Sequence, residues 1–350
     1  MPLIVDAHED IAFNMLALGR DVRRSALETR RLEMGTEVPK QNGVCMVGLP
    51  EWLKGKVAVV FSTIYVSPAR RGTESGPQVY ATAAEAHALG MEQLDVYRRL
   101  ADQEEQVALV GDQGGLKKVL ESWQDESPVV GLVPLMEGAD PIGEPVEAEW
   151  WFERGVRVVG LSWKSGTRYA GGDAMPGPLT DLGRELLDVM AELGMILDVS
   201  HLAERSFFEA IGRFEGRVVA THANPRALVP GSRQLSDDMI RRLVERDGVI
   251  GIVPANYFVR PDWQTTQVTL ADVVAAIDHV CQVAGDAAHV GLGSDFDGGF
   301  GADQTPPMLD TVADLQHLGP ALGGAGYHEK DIVAIMSGNW IRVLKDTLPG

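Results

Sequence analysis

Cysteine is scarce: a chain of 350 residues holds only Cys45 and Cys281, and neither has a CxxC neighbour. At most one disulfide can form, so a disulfide-stapled scaffold is excluded and both are read as reduced thiols. Long apolar runs are missing too. The longest, such as Val57 to Ile64, fall far short of the ~20 residues that a membrane-spanning helix needs. Positive charge is the minority sign, with Lys+Arg 31 against Asp+Glu 50 and a formal net charge of −19. Such a surface repels phosphate backbones and anionic lipid, so neither nucleic acid nor membrane is an expected partner. The N-terminal Met1-Pro2-Leu3-Ile4-Val5-Asp6 has no basic n-region and enters a strand-like run at once, which makes the cytoplasm the expected compartment. Low-complexity tracts, internal repeats and Pro/Ser-rich linkers are also lacking, so residues 1–350 read as one domain. What remains is an ordinary globular composition, 45% hydrophobic and 23% charged, which excludes disorder as the main state.

Short β-branched runs recur along the chain with helical stretches between them: Leu3–His8, Val57–Val66, Val129–Met136, Val156–Ser162, Met195–His201, Val218–His222, Val249–Pro254 and His289–Asp295. They are nearly continuous in apolar character, without strand alternation, as parallel strands buried on both faces should be. The intervening segments are punctuated as helices. Thr180 to Leu193 opens on a candidate N-cap and is followed by Gly194, while Ser236 to Arg246 carries Asp237 and Asp238 in its first turn and Gly248 beyond its end. Eight β-then-α units predict a (β/α)8 TIM barrel, with an open parallel sheet as the alternative. Gly72 to Glu105 with Gln113 to Glu121 are expected as a helical insertion after strand 2, and Phe296 to Met308 as a long Gly/Pro-rich loop after strand 8.

Polar residues cluster where these strands end. In a parallel barrel the C-terminal strand ends share one rim, so residues remote in sequence meet in one pocket. His8 and Asp10, two apart at the end of the first strand, face the same way and can clamp one cation, whereas Glu9 faces the other. Glu137 emerges from the apolar run Val129–Met136, and a buried carboxylate is costly unless paired or metal-bound. His201, His222 and Asp295 end three further strands. Each alone has a structural explanation, a satisfied core histidine or a turn-forming aspartate. Together they point to a metal site of nitrogen and oxygen ligands, suited to Zn²⁺ and open to Mn²⁺ or Fe²⁺. The donors exceed what one catalytic zinc needs, so two ions per chain sharing a carboxylate are expected. The other histidines, His87, His279, His289, His317 and His328, read as structural or solvated.

These residues stand in motifs that resemble the membrane (renal-type) dipeptidases, peptidase family M19, of the amidohydrolase-like TIM barrels. The motifs are Asp6-Ala7-His8-Glu9-Asp10, Met136-Glu137-Gly138, Leu179 to Leu186 through Leu197 to His201, Thr221 to Arg226, Gly293 to Gly298, and Gly338 to Val343. The resemblance implies a binuclear zinc site with His8 and Asp10 on one ion, His201 and His222 on the other, and Glu137 bridging. It implies Asp295 as the acid/base carboxylate, Arg233 as the arginine that holds the substrate carboxylate, and cleavage of the amide of a dipeptide or small N-acyl amino acid by a metal-bridging hydroxide. Phe13, Trp163 and Phe258 are read as further substrate contacts, and a homo-oligomer is expected. One departure stands out. Trp163 falls where the family has a histidine near the reacting amide oxygen, and an indole offers one N–H donor and no titration. Lys164 or Arg168 is a candidate replacement. The alternative function is therefore a metal-retaining barrel that acts on another small amide or only binds a small molecule.

Overall fold

A computed structural model describes residues 1–69 and 77–350. Its centre is built from eight strands, β1 (Ile4–Glu9), β2 (Val57–Tyr65), β3 (Val130–Glu137), β4 (Val158–Gly160), β5 (Ile196–Asp198), β6 (Val218–Val219), β7 (Ile250–Ile252) and β8 (Val290–Leu292). They are all parallel and hydrogen-bonded in the order β7-β8-β1-β2-β3-β4-β5-β6. The parallel bridge Ala220↔Ile250 joins the two ends of that order. The sheet thus closes into a TIM barrel. The strands are buried, as β1 and β2 illustrate along their whole lengths, and β2 is rich in β-branched residues. The two longest, β2 and β3, pair from Val59↔Gly131 to Tyr65↔Glu137, which carries the Glu137 carboxylate to the rim.

The helices start and stop for the reasons the sequence suggests. Thr180 accepts from the Gly183 amide ahead of Asp181–Leu193, and Gly194 ends that helix in the left-handed conformation. Ser236 accepts from the Met239 amide ahead of Asp237–Glu245. The segment after β2 is more varied than a helical insertion. Residues 72–76 of the expected stretch lie outside the described residues, and the helix begins at Ala83, behind the capping box of Thr82 and Glu85, and runs to Gln103. A short strand, Val107–Leu109, then pairs with Val130–Leu132 of β3 before the helix Gln113–Ser122. The crossover from β1 to β2 is also elaborated, by the helical pieces Ile11–Phe13, Asn14–Leu18, Ala26–Glu33, Val38–Asn42 and Leu49–Gly55. Last, Asn339–Thr347 seats Trp340 edge-on to Phe61, 5.3 Å between ring centres. No helix among the described residues is long and apolar enough to cross a membrane.

Candidate metal centre

His8, Asp10, Glu137, His201, His222 and Asp295 converge at the C-terminal rim of the barrel. Their donor atoms fall into three overlapping groups, His8 with Asp10 and Glu137, Glu137 with His201 and His222, and His8 with His222 and Asp295, each within 4.8 Å. Glu137 is shared by two of them. Its Oε1 lies 3.2 Å from His222 Nε2, 3.3 Å from His201 Nε2 and 3.8 Å from His8 Nε2. His8 Nε2 is also 3.9 Å from Asp295 Oδ1. The His8 and His222 rings lie 3.7 Å apart between centres, tilted by 34°.

The backbone at this rim is bent to suit. Asp295 sits in the left-handed region at φ 57°, held by donation of its amide to the His8 carbonyl at 3.0 Å. Gly298 is required in the turn that follows, because a Cβ there would lie 2.2 Å from Asp295 Oδ1 and 2.9 Å from Asp10 Oδ2. His201 likewise has φ 62°.

Charge in this cluster is out of balance. Burial first, then Asp10 and Asp295, pushes the Glu137 carboxyl well above the usual range. Burial and the neighbouring Asp10 do the same to Asp295. Asp10 is raised to about 7 by burial and Asp297. The imidazoles move the opposite way: burial, with Arg233 adding to it, lowers His201 to about 4, and His8 and His222 lie well below their ordinary value. Neutral ring nitrogens thus face carboxylates that repel one another, and buried His8 Nε2 and Asp10 Oδ1 have no hydrogen-bond partner. Lone pairs converge with few donors to meet them, and nitrogen and oxygen ligands without thiolate suit Zn²⁺, Mn²⁺ or Fe²⁺. The residues fit divalent cations.

Above the cluster opens a cavity of about 510 Å³, and Phe13, Trp163, Arg233 and Phe258 all line it. The Arg233 guanidinium lies over the Phe258 ring at 5.3 Å and donates from Nη2 to the His222 carbonyl at 2.6 Å. Its buried Nε and Nη1 have no hydrogen-bond partner. Trp163 leans on Tyr65, 4.9 Å between ring centres, and lies 6.1 Å from the His201 ring. Lys164 lines the cavity, whereas Arg168 is turned away and donates to the carbonyls of Ile142 and Gly143. Arg168 is therefore not placed to replace a histidine in the pocket. The remaining histidines serve elsewhere; His279 pairs with Asp237 at 2.8 Å, and His87 packs on Trp150.

Comparison with known proteins matches the family "Membrane dipeptidase (Peptidase family M19)" over residues 2–348. The chain belongs to this family. A relative from Klebsiella pneumoniae, an uncharacterized protein in the pqqA 5' region, is 34% identical over 63% of this chain and 83% of its own length. Dipeptidase aclJ of Aspergillus oryzae is 28% identical over 86% of this chain and 69% of its own length. Among solved structures, a metallo peptidase from Rhodobacter sphaeroides, liganded with a phosphinate mimic of the dipeptide L-Ala-D-Ala, superposes with a TM-score of 0.81 at 24% identity over 99% of both chains. The probable dipeptidase PvdM of Pseudomonas aeruginosa gives 0.82 at 20% identity, over 99% of this chain and 96% of that one.

Around this M19 site stand residues to which sequence reasoning gave no role in it. Asp173, on the loop after β4, lies 3.5 Å from His201 Nδ1 and 3.9 Å from Arg233 Nε. Burial tends to raise its carboxyl, but His201 and Arg233 hold it below the ordinary value. Asp297 is a buried anchor that accepts from the Met46 and Val47 amides at 2.9 and 3.2 Å and meets Arg20 at 3.4 Å. Glu9, facing away from the cluster, is fully buried and accepts from Trp52 Nε1 at 3.0 Å. Asp198 and Thr221 lie behind the histidines. Asp297 had a signal in the DFDGG turn; for the others only packing reveals the role.

Proposed function

We propose that this M19 chain is a dipeptidase that works with two divalent cations, zinc by the chemistry of its donors. His8 and Asp10 would hold one, His201 and His222 the other, and Glu137 would serve both; the convergence of their donor atoms around Glu137 is the observation that carries this reading. Bound there, such cations polarise an amide carbonyl and bring the pKa of water down toward neutrality. The chain's own residues supply the rest. Asp295, whose carboxyl is raised by burial and Asp10, is placed to take a proton and return it to the leaving amine. Arg233 Nη1, buried and without a hydrogen-bond partner, is available to the carboxylate of a dipeptide, while Nε faces Asp173 at 3.9 Å. Phe13, Tyr65, Trp163 and Phe258 form the aromatic wall that keeps water from the amide. A second reading, hydrolysis of a different small amide, is favoured by Trp163 alone, since its indole fills wall space and cannot carry charge.

Elemental analysis of metal-replete protein, paired with assay on a mixed dipeptide panel before and after chelation, tests the proposal. Two ions per chain and a chelator-sensitive dipeptidase are expected, and Glu137→Gln should lose an ion and activity on the order of 10³-fold, the scale of several kcal/mol of metal assistance. A ceiling of one ion that survives Glu137→Gln removes the shared site. A replete chain that cleaves no dipeptide removes the activity.

A further inference from the structure

We propose that Thr221 is a positioning residue whose single hydroxyl fixes the tautomers of two imidazoles at once, His8 and His222, and so couples the two halves of the cation site. The inference rests on the two-cation reading above. A neutral imidazole has one N–H and one lone pair, and only the nitrogen with the lone pair can bind a cation. His222 Nδ1 lies 3.0 Å from Thr221 Oγ1 and His8 Nδ1 3.4 Å from the same atom. Their Nε2 atoms face Glu137 instead. Which nitrogen carries hydrogen therefore depends on what the Thr221 hydroxyl does.

Asp198 settles it. Its Oδ2 is 2.6 Å from Thr221 Oγ1, a short contact of the kind a hydroxyl makes with a carboxylate. Its Oδ1 already accepts two backbone amides, Ser200 and Thr221, each at 2.9 Å. With its hydrogen committed to Asp198, the hydroxyl keeps two lone pairs, and the ring nitrogens at 3.0 and 3.4 Å, nearer than Ser200 Oγ at 3.5 Å, donate into them. Both lone pairs at Nε2 then point to the cluster. The longer contact makes His8 the weaker dependant. Thr221 cannot drift from this post, being fully buried with its carbonyl pressed on Gly251 and Gly293, where a Cβ would come within 1.9 and 1.8 Å. His201 is outside the arrangement, since its Nδ1 faces Asp173 at 3.5 Å, and it serves as an internal control. Outer-shell hydrogen bonds of this kind change metal affinity by roughly 10- to 100-fold.

The test is ¹⁵N NMR of the histidine rings in the cation-free protein, where coordination at Nε2 does not itself fix the tautomer, together with chelator competition for each ion in the loaded protein, on the wild-type chain, Thr221→Val and Thr221→Ser. In the wild type His8 and His222 should be protonated at Nδ1. Thr221→Val should mix the tautomers, His222 more than His8, leave His201 unchanged, and weaken both ions by roughly 10- to 100-fold; Thr221→Ser should restore both. A wild-type His222 protonated at Nε2 overturns the proposal without any variant, because the proton would then sit on Asp198 and the relay would run the other way. Weakening of one ion alone, or of neither, overturns the coupling while leaving the two-cation reading intact. A wild-type chain limited to one ion defeats that reading and the coupling with it, and the ring spectra still decide the tautomer lock.

Discussion

The floor and the wall of the cavity are built differently. The floor consists of strand ends: His8 from β1, Glu137 from β3, His222 beyond β6 and Asp295 beyond β8, backed by groups that satisfy one another inside the barrel. Asp6, for example, accepts from the Ser294 amide at 2.7 Å, and Asp198 takes three donors from Ser200 and Thr221. The wall is drawn mostly from segments beyond the strands, with Trp163 and Asp173 after β4 and Arg233 after β6, although Tyr65 is the last residue of β2. There the donors are left over, as Arg233 Nε and Nη1 show. A floor whose backing groups are spent on one another holds its unpartnered acceptors, His8 Nε2 and Asp10 Oδ1 among them, in one arrangement, whereas a wall with unspent donors is completed by the ligand. On the function proposed above, chemistry would belong to the first and choice of substrate to the second, the division of labour that barrels with loop-borne specificity allow.

That division can be broken from the floor. Asp295→Asn should keep both cations and lower kcat by roughly 10²- to 10⁴-fold, the range of general acid–base assistance, and by the same factor for every dipeptide. Metal analysis beside kcat on several substrates checks it; loss of an ion would make Asp295 a ligand, and unequal losses would blur floor into wall. From the wall the effect should be smaller and selective. Arg233→Met removes a charge-assisted bond worth ~1.5–3 kcal/mol, roughly 10- to 150-fold in kcat/KM, and only for substrates with a free C-terminal carboxylate. Amidated dipeptides should be untouched. Equal losses on acids and amides would take Arg233 out of carboxylate binding.

The same contrast explains how much the sequence discloses. Floor residues announce themselves because each is a polar side chain closing an apolar strand, and β-branched runs with glycine or threonine punctuation are enough to reveal the barrel. Wall residues have no such frame. Asp173 sits in the irregular stretch between β4 and the helix Asp181–Leu193, where no periodicity assigns it a direction. Thr221 and Asp198 hide for another reason: in sequence each looks like an ordinary strand residue, and their partnership appears only when β5 and β6 lie side by side. The helices between β1 and β2 are short, two of them opening with Pro39 and Pro50 in their first turn, and none spans the window over which a helical period can be read. Val107–Leu109 is too brief to register as a strand without its partner on β3.

The smallest effect, and the one that most sharpens the contrast, lies at Trp163. Its indole packs on Tyr65 at 4.9 Å and occupies wall space beside His201. It has one N–H to offer and no charge, so stabilisation of developing negative charge on the amide oxygen falls to the floor. Ordinary L,L-dipeptides should then be poor substrates of the wild type. Trp163→His places at the wall the ionisable residue that the family resemblance implies there, and frees volume. It should raise kcat/KM on those dipeptides by about tenfold, close to 1.4 kcal/mol. It should also lower stability by ~0.5–1.5 kcal/mol through loss of the ring pair with Tyr65. Kinetics on matched L,L-dipeptides and a denaturant melt measure both. The stability loss without the kinetic gain would mean that Trp163 is packing and nothing more. A wild type that already turns over a broad set of L,L-dipeptides at kcat/KM of ~10⁵ M⁻¹s⁻¹, well within the ordinary enzymatic range, would mean that the floor alone suffices and that the wall at this position excludes nothing.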